Sequence, residues 1–451
     1  MPNYFGDLNS KLQEVAITPD FHRGSSIPIG TVILTKGFII PQAMGSDINC
    51  GMRLYVTDLD SEIVKSKLQE LESKIRYVFF EGGRGIGMDK IQREAMLRNG
   101  LMGLLETNKH GKGKGIWKYY DVNQEEKDLY NVSENGSYIT DKTIGLESYI
   151  GTEGLSYDMQ VGTIGGGNHF VEVQKVINVI DKGIANAWGI KRYHTVIMIH
   201  SGSLSIGKNS SIHTLEIVKK AYPKNLKHPE NGVYPLVYSE KLKESLDDFW
   251  ALTHNAANFA FSNRLFLGLM MKKIFFELFG ECSFELLYDA PHNLIWNEKI
   301  NGEEMFLHRK GACPARGMEQ MKNTNFFYYG EPVFIPGSMG SSSFILSGNG
   351  SMESLFSASH GAGRKLSRGK ALKEDHEKFI EFMKNFHVVT PIDPKRPDIA
   401  GRKDILKKWE DNIKSEAPYA YKEINEIIKV QADKKIVNVV AEVEPILTIK
   451  N

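Results

Sequence analysis

Cysteine is scarce here, with three in 451 residues, at positions 50, 282 and 313. An odd, scattered trio excludes a secreted disulfide framework and points to a reducing compartment, where any special thiol acts singly. Charge of one sign is missing too, since 56 Lys+Arg face 55 Asp+Glu for a net +1. That balance excludes a globally basic nucleic-acid binder and leaves room only for a local basic groove. Long apolar runs are also absent. The greasiest stretch, 259–279, is interrupted by Asn263, Arg264, Lys272 and Lys273, so it reads as a buried helix and no membrane partner is expected. The opening residues Met1 to Asp7 carry neither a basic nor an apolar segment. No secretory leader is expected from them, and the cytoplasm is the expected location.

What is present is an ordinary globular composition without internal repeats, low-complexity tracts or a clean linker. The pattern predicts an α+β fold, a single large domain over 1–451 with mixed β-sheets flanked by helices. Residues 1–60 look strand-rich, with β-branched runs at 27–34 and 37–40 bounded by Gly and Pro. Ile63, Val64, Leu68, Leu71 and Ile75 recur at helical spacing within 61–108. The stretch 80–160 reads as a variable insertion, exposed and irregular over 109–160, where Lys, Gly, Asn and Ser crowd together. Buried strands are expected at 196–199 and 284–288, with further strands at 345–346 and 388–389. Helices are expected at 215–221, 241–252 and 256–278. A polar helical segment over 399–434, broken at Ala417-Pro418, precedes a final strand over 437–449.

Polar clusters sit where the apolar runs end. Asp47 and Cys50 lie three residues apart beside a strand-like run; alone, they are read most simply as a buried cysteine near a turn aspartate. Gly165-Gly166-Gly167 leads into Asn168, His169, Phe170, Val171 and Glu172, which is either a ligand-approaching turn or a glycine turn opening a strand. The G-x-G-x-x-G spacing of a dinucleotide site is absent. His200 ends one apolar run and Asp289-Ala290-Pro291-His292-Asn293 ends another. Asp47, Cys50, His169, His200 and His292 together make a mixed N/O/S set larger than one tetrahedral zinc requires, so two metals sharing a bridging ligand are expected. The thiol favours zinc, while imidazole and carboxylate also suit manganese.

The C-terminal half carries phosphate-type loops. His308-Arg309-Lys310-Gly311 sets two cations beside a glycine, and 336–343 is a Gly/Ser loop. Ser359-His360-Gly361-Ala362-Gly363-Arg364-Lys365-Leu366-Ser367-Arg368 adds three cations, and a helix starting near Gly363 would favour phosphate at its N-terminus. His360 in its glycine turn is a nucleophile, a general base or inert. The helical segment around Thr253 to Arg264 has an amide-rich face, read as core packing before site lining. His22 is kept as a candidate; other histidines, His110 among them, form background.

In this order the motifs resemble those of the RNA-splicing ligase RtcB family, over Pro19 to Lys450 outside the 80–160 stretch. The resemblance implies an enzyme that uses GTP and two Mn²⁺ ions to join RNA bearing a 3′-phosphate or 2′,3′-cyclic phosphate to RNA with a 5′-hydroxyl. It serves tRNA splicing or RNA repair, with an archease-type activator as a candidate partner. It further implies Asp47, Cys50, His169, His200 and His292 as metal ligands, Cys50 bridging, and His360 as the catalytic histidine that becomes guanylylated before an RNA-ppG intermediate forms. Asn168, His169, Phe170, Val171, Glu172, His292, Asn293, Pro336, Gly337, Ser338, Met339, Ser343, His360, Gly361, Ala362, Gly363, Tyr421 and Lys450 are the implied nucleotide-site residues. Arg309, Lys310, Arg364 and Arg368 are expected at RNA phosphate. Leu204-Ser205 stands where the family has Arg-Gly after His200-Ser201-Gly202-Ser203, which removes one expected phosphate contact and motivates the alternative of an RNA-end phosphoesterase that does not seal.

Overall fold

The computed structural model describes residues 10–108, 114–373, 376–384 and 386–451; residues 1–9 and His110 lie outside the described residues. It is mixed α and β, as the pattern predicts. The elements that position the site are β1 (Lys11–His22), β2 (Ile29–Lys36), β3 (Gly51–Asp60), β4 (Phe170–Val179), β5 (His194–Ser201), β6 (Phe284–Pro291), β7 (Asn293–Ile300), β8 (Glu303–Lys310), β9 (Pro332–Ile335), β10 (Ser343–Gly348) and β11 (Val437–Ile449). Among the helices are α1 (Lys90–Thr107), α2 (Leu204–Ala221), α3 (Lys243–Phe279) and α4 (Ile424–Asp433).

An eight-stranded sheet runs β6-β3-β5-β4-β11-β10-β9, with Val388–Val389 added in parallel on β11. A second sheet of four runs β1-β2-β8-β7. Strand β5 shows why the large sheet sits inside. Its side chains alternate between faces, so Ile197 and Ile199 join the core under α3 while Val196 and Met198 join a separate core on the other side. A strand covered on both faces reads as a continuous apolar run, and Val196-Ile197-Met198-Ile199 is one. Among the described residues no helix is long and apolar enough to cross a membrane.

Two expectations are corrected. The break expected between 252 and 256 is absent, and α3 is continuous over 37 residues. Thr253 and Asn255 are fully buried there, and the Asn255 amide donates to Leu97 O at 3.1 Å and Lys142 O at 3.0 Å instead of competing for its own helix backbone. The described part of the stretch 109–160, residues 114–160, is irregular but not simply exposed. Ile116, Trp117, Val132, Leu146 and Ile150 are buried in the core that contains α3, and Trp117 meets Phe266 edge-on with ring centroids 5.1 Å apart.

Candidate active site

The strand ends deliver the polar residues to one place. Asp47 and Cys50 lie on the turn into β3, His169 precedes β4, His200 is near the end of β5, and His292 sits between β6 and β7. Because β4, β5 and β3 are adjacent and antiparallel, Phe170 pairs with His200 and His200 with Met52, which stacks the ligand-bearing ends side by side.

The side chains form two overlapping triads, Asp47–Cys50–His169 and Cys50–His200–His292, with all ligand atoms of each within 4.8 Å of one another. Cys50 Sγ lies 3.2 Å from His169 Nε2 and 3.3 Å from His200 Nε2, and His200 Nε2 lies 3.3 Å from His292 Nε2. Asp47 Oδ2 is 2.8 Å from His169 Nε2. The other ring nitrogens are tied back: His169 Nδ1 to Ile164 O at 3.1 Å, His200 Nδ1 to Asn168 O at 3.2 Å. A carbonyl can only accept, so each Nδ1 carries a proton; His200 Nε2 then offers a lone pair, while His169 Nε2 faces the Asp47 carboxylate.

This donor set fits metal ions. Burial drives His200 and His292 well below the ordinary imidazole range, so both rings are neutral, and His292 Nδ1 is buried without a hydrogen-bond partner among the described residues. Burial opposes ionisation of Asp47, yet His169 holds it at about 2. Burial, then Asp47, pushes the Cys50 thiol up, a cost that a bound cation removes by taking the thiolate. Gly202 is required beside them, because a Cβ there would sit 2.5 Å from an Asp47 carboxylate oxygen.

His360 stands next to this cluster. Its ring centroid is 4.9 Å from that of His292, and its Nδ1 is 2.6 Å from Asp20 Oδ2. Asp20 is fully buried and also accepts from the His360 backbone N–H at 3.2 Å and from the Thr18 hydroxyl. Burial works against its charge, but His360 and the hydrogen bonds hold its carboxyl below the usual range. An ionised Asp20 therefore fixes the Nδ1–H tautomer and leaves His360 Nε2 with its lone pair. Gly363, at φ 73°, lets the turn pass where a Cβ would lie 2.4 Å from Asp20 O.

His360 is on the wall of one cavity, lined also by Asn168, Phe170, Glu172, His200, Pro336 to Met339, Gly361 to Gly363, Arg364, Arg368, Tyr421 and Lys450. At its inner end burial pushes Glu172 up to about 7 and Lys450 down to about 8. Glu172 is held by Thr448 and by Gln174 Nε2 at 2.6 Å, while Lys450 Nζ donates to Gly167 O at 2.7 Å and His169 O at 3.2 Å.

Other expected residues fall elsewhere. Val171 faces the core under α3. Ser343 and Asn293 act one layer back, Ser343 Oγ accepting from Gly337 N at 3.2 Å and Asn293 Nδ2 donating to Asp47 O at 3.2 Å. The assignment of Arg309 to RNA phosphate is corrected. It is 1% exposed, lies 4.5 Å over the Trp296 ring and donates to Ser357 Oγ at 2.8 Å, out of reach of a polyanion. Lys310 points away from His360, donating to Ser25 O at 2.8 Å and Gln42 O at 3.3 Å. Arg364 and Arg368 do line the cavity, but both are paired with Glu416, at 3.0 and 2.8 Å. No helix starts near Gly363; the first begins at Arg368 and has only four residues.

Asp20, His22 and Glu416 carry parts of this site without any local signal for two of them; only His22 stood out in the sequence. His22 stacks on His360 at 6.3 Å, its Nδ1 against Asp20 O. A further support lies beneath: Arg264 on α3 pairs with Asp289 at 2.8 Å and donates to Asn49 O at 2.7 Å and Ser201 O at 3.0 Å, gripping the chain beside Cys50 and His200. The amide-rich face of α3 is thus a buried scaffold under the ligands.

A family model described as tRNA-splicing ligase RtcB matches residues 5–451. The chain belongs to the RtcB family of RNA ligases. It is 31% identical to the tRNA-splicing ligase RtcB of Pyrobaculum aerophilum, over 96% of this chain and 87% of that protein. It is similarly 29% identical to the tRNA-splicing ligase RtcB of Nanoarchaeum equitans, over 97% and 88%. Leu204 opens α2 beside the ligand cluster. It takes a left-handed φ of 51°, its N–H donates to Asp47 Oδ1 at 3.2 Å, and its side chain packs on Gly165.

Proposed function

We propose that this RtcB protein is a GTP- and Mn²⁺-dependent ligase that joins RNA ends bearing a 2′,3′-cyclic phosphate or 3′-phosphate to 5′-hydroxyl ends, in tRNA splicing or RNA repair within the cytoplasm. The observation that carries the reading is the placement of His360, with Nδ1 locked on Asp20 and the ring against the thiol–imidazole cluster, on the wall of a cavity that Glu172, Arg364, Tyr421 and Lys450 also line. In this reading His360 Nε2 attacks the α-phosphorus of GTP; the N–P bond forms as the P–O bond to pyrophosphate breaks. Asp20 offsets the positive character that the imidazole gains. Glu172 and Lys450 flank the guanine end of the cavity. Asp47, Cys50, His169, His200 and His292 would hold two Mn²⁺ ions, which supply charge neutralisation for the phosphates. The RNA 3′-phosphate then takes GMP from His360, and the 5′-hydroxyl displaces GMP from the resulting RNA-ppG end. An archease-type protein is the proposed activator.

Intact mass after incubation with GTP and Mn²⁺ tests this: one GMP is expected on the chain, discharged when 3′-phosphate RNA is added. Opening of cyclic phosphate ends with no GMP adduct and no joined RNA would replace the ligase by the phosphoesterase.

Asp20→Asn is expected to slow guanylylation by about 10²–10⁴-fold, from the loss of an outer carboxylate partner up to that of a carboxylate that fixes the tautomer of a functional imidazole. The asparagine amide can donate to Nδ1 and so leaves the proton on Nε2. Single-turnover GMP transfer measures it, and Asp20→Glu is expected to recover part of the rate.

A further inference from the structure

A groove leaves the ligand cluster on the side of His169 and Asp47. Its first part is a cavity of about 510 Å³ lined by Asp47, Gly166, His169, Leu204, Lys208 and Ile212. A second cavity of about 390 Å³, reaching Lys219, Tyr234 and Lys310, continues it, and the two share Ser46, Ser211 and Leu215. One stripe of α2 forms the floor. Leu204, Lys208, Ser211, Ile212, Leu215 and Lys219 follow each other at helical spacing, with Lys208 and Lys219 eleven positions and so about 16 Å apart.

Three features decide what the groove takes. Three lysines line it, while its one carboxylate is Asp47, which belongs to the ligand cluster. Lys208 and Lys219 are exposed and have no ion-pair partner among the described residues. Between them lie the apolar surfaces of Ile212, 51% exposed, and Leu215, and Leu204 precedes Lys208 by one turn. Cations spaced along a track with apolar contacts between them match a single nucleic-acid strand, whose phosphates and base faces alternate in the same way.

We propose that the α2 groove seats a single-stranded RNA end, with Lys208 and Lys219 on two phosphates of the strand separated by more than one nucleotide and its terminal nucleoside on Leu204 and Ile212 beside Asp47 and His169. The proposal rests on the ligase reading for its choice of RNA. Leu204 then favours a base or ribose where a cation would have favoured phosphate, and Lys208, one turn further along, holds the phosphate instead. The nucleotide cavity and this groove reach the ligand cluster from different sides, through His200 and His360 for the first and through Asp47 and His169 for the second. Nucleotide and RNA strand therefore do not compete for one opening.

Fluorescence anisotropy with short oligoribonucleotides, in EDTA and without GTP, tests it. One probe carries a 3′-phosphate, and the other carries a 5′-hydroxyl and a blocked 3′ end. Lys208→Gln and Lys219→Gln are each expected to flatten the plot of log affinity against log salt by about 0.7, one phosphate contact on a single strand. Lys208→Arg is expected to restore the slope, and Lys182→Gln, on the far side of the large sheet, to leave it unchanged. Loss on one probe assigns the groove to that strand. An unchanged slope for both probes in the double variant overturns the proposal, as does displacement of RNA by polyglutamate at equal charge concentration. GMP uptake by the wild type is read separately. A flattened slope without GMP uptake keeps the groove and rejects the ligase, and the reverse result does the opposite.

Discussion

His360→Ala is expected to take up no GMP under conditions where the wild type takes up one per chain, and to lose RNA joining by more than about 10⁴-fold, the scale seen when an enzyme loses its covalent nucleophile. The size follows from the reaction's division into steps. In the proposed reaction RNA joining starts from the nucleotide on Nε2, so no neighbouring group inherits the role in part. His22 stacks on His360, but its ring sits 6.3 Å away with Nδ1 on Asp20 O rather than on a carboxylate. The alanine variant has a second effect that must be separated from the first. It leaves the buried Asp20 carboxylate without its ring partner, at about 1–3 kcal/mol for an unmet buried group. His360→Asn retains a side-chain donor and a similar reach, so it should melt closer to the wild type while still taking up no GMP. Acid lability of the wild-type adduct, expected of a phosphorus–nitrogen bond, would identify its chemistry. A variant that still acquires acid-labile GMP would remove His360 from the reaction.

The ligand cluster was legible in the sequence for a specific reason. Asp47, Cys50, His200 and His292 each stand at the end of an apolar run, and runs that are buried side by side bring their ends together. Arg309 was misread because the sequence His308-Arg309-Lys310 shows charge but not direction. On β8 the alternation sends Arg309 over Trp296 and its neighbour Lys310 toward Ser25, so two adjacent cations serve different surroundings. Asp20 could not be found from spacing, since its partner His360 is 340 residues away and the carboxylate sits in an unremarkable strand. Glu416 was hidden for the same reason; only the fold shows that Arg364 and Arg368 already have an anion. Trp117 and Ile116 were hidden by the polar residues around them. In a segment with no periodicity, the anchoring side chains leave no pattern to read.

Cys50→Ala is expected to empty both halves of the ligand cluster, whereas His292→Ala should empty one. The geometry sets this difference. Cys50 belongs to both triads, with Sγ 3.2 Å from His169 Nε2 and 3.3 Å from His200 Nε2, while His292 belongs to one. Outer partners of metal ligands change affinity by about 10–100-fold, and loss of a shared ligand should exceed that range. Elemental analysis after dialysis against Mn²⁺ measures it: two ions per wild-type chain, about one for His292→Ala and near none for Cys50→Ala. Cys50→Ser separates bridging from softness. A hydroxyl keeps the position and offers a harder oxygen, so Mn²⁺ binding should recover more than Zn²⁺ or Cd²⁺ binding does. The thiol drew the sequence reading toward zinc, whereas three imidazoles and a carboxylate around it accommodate manganese, and this pair of substitutions sets the two arguments against each other. Equal loss of one ion in Cys50→Ala and His292→Ala would show that the thiol serves a single ion, and the bridging role would fall to another side chain of the cluster.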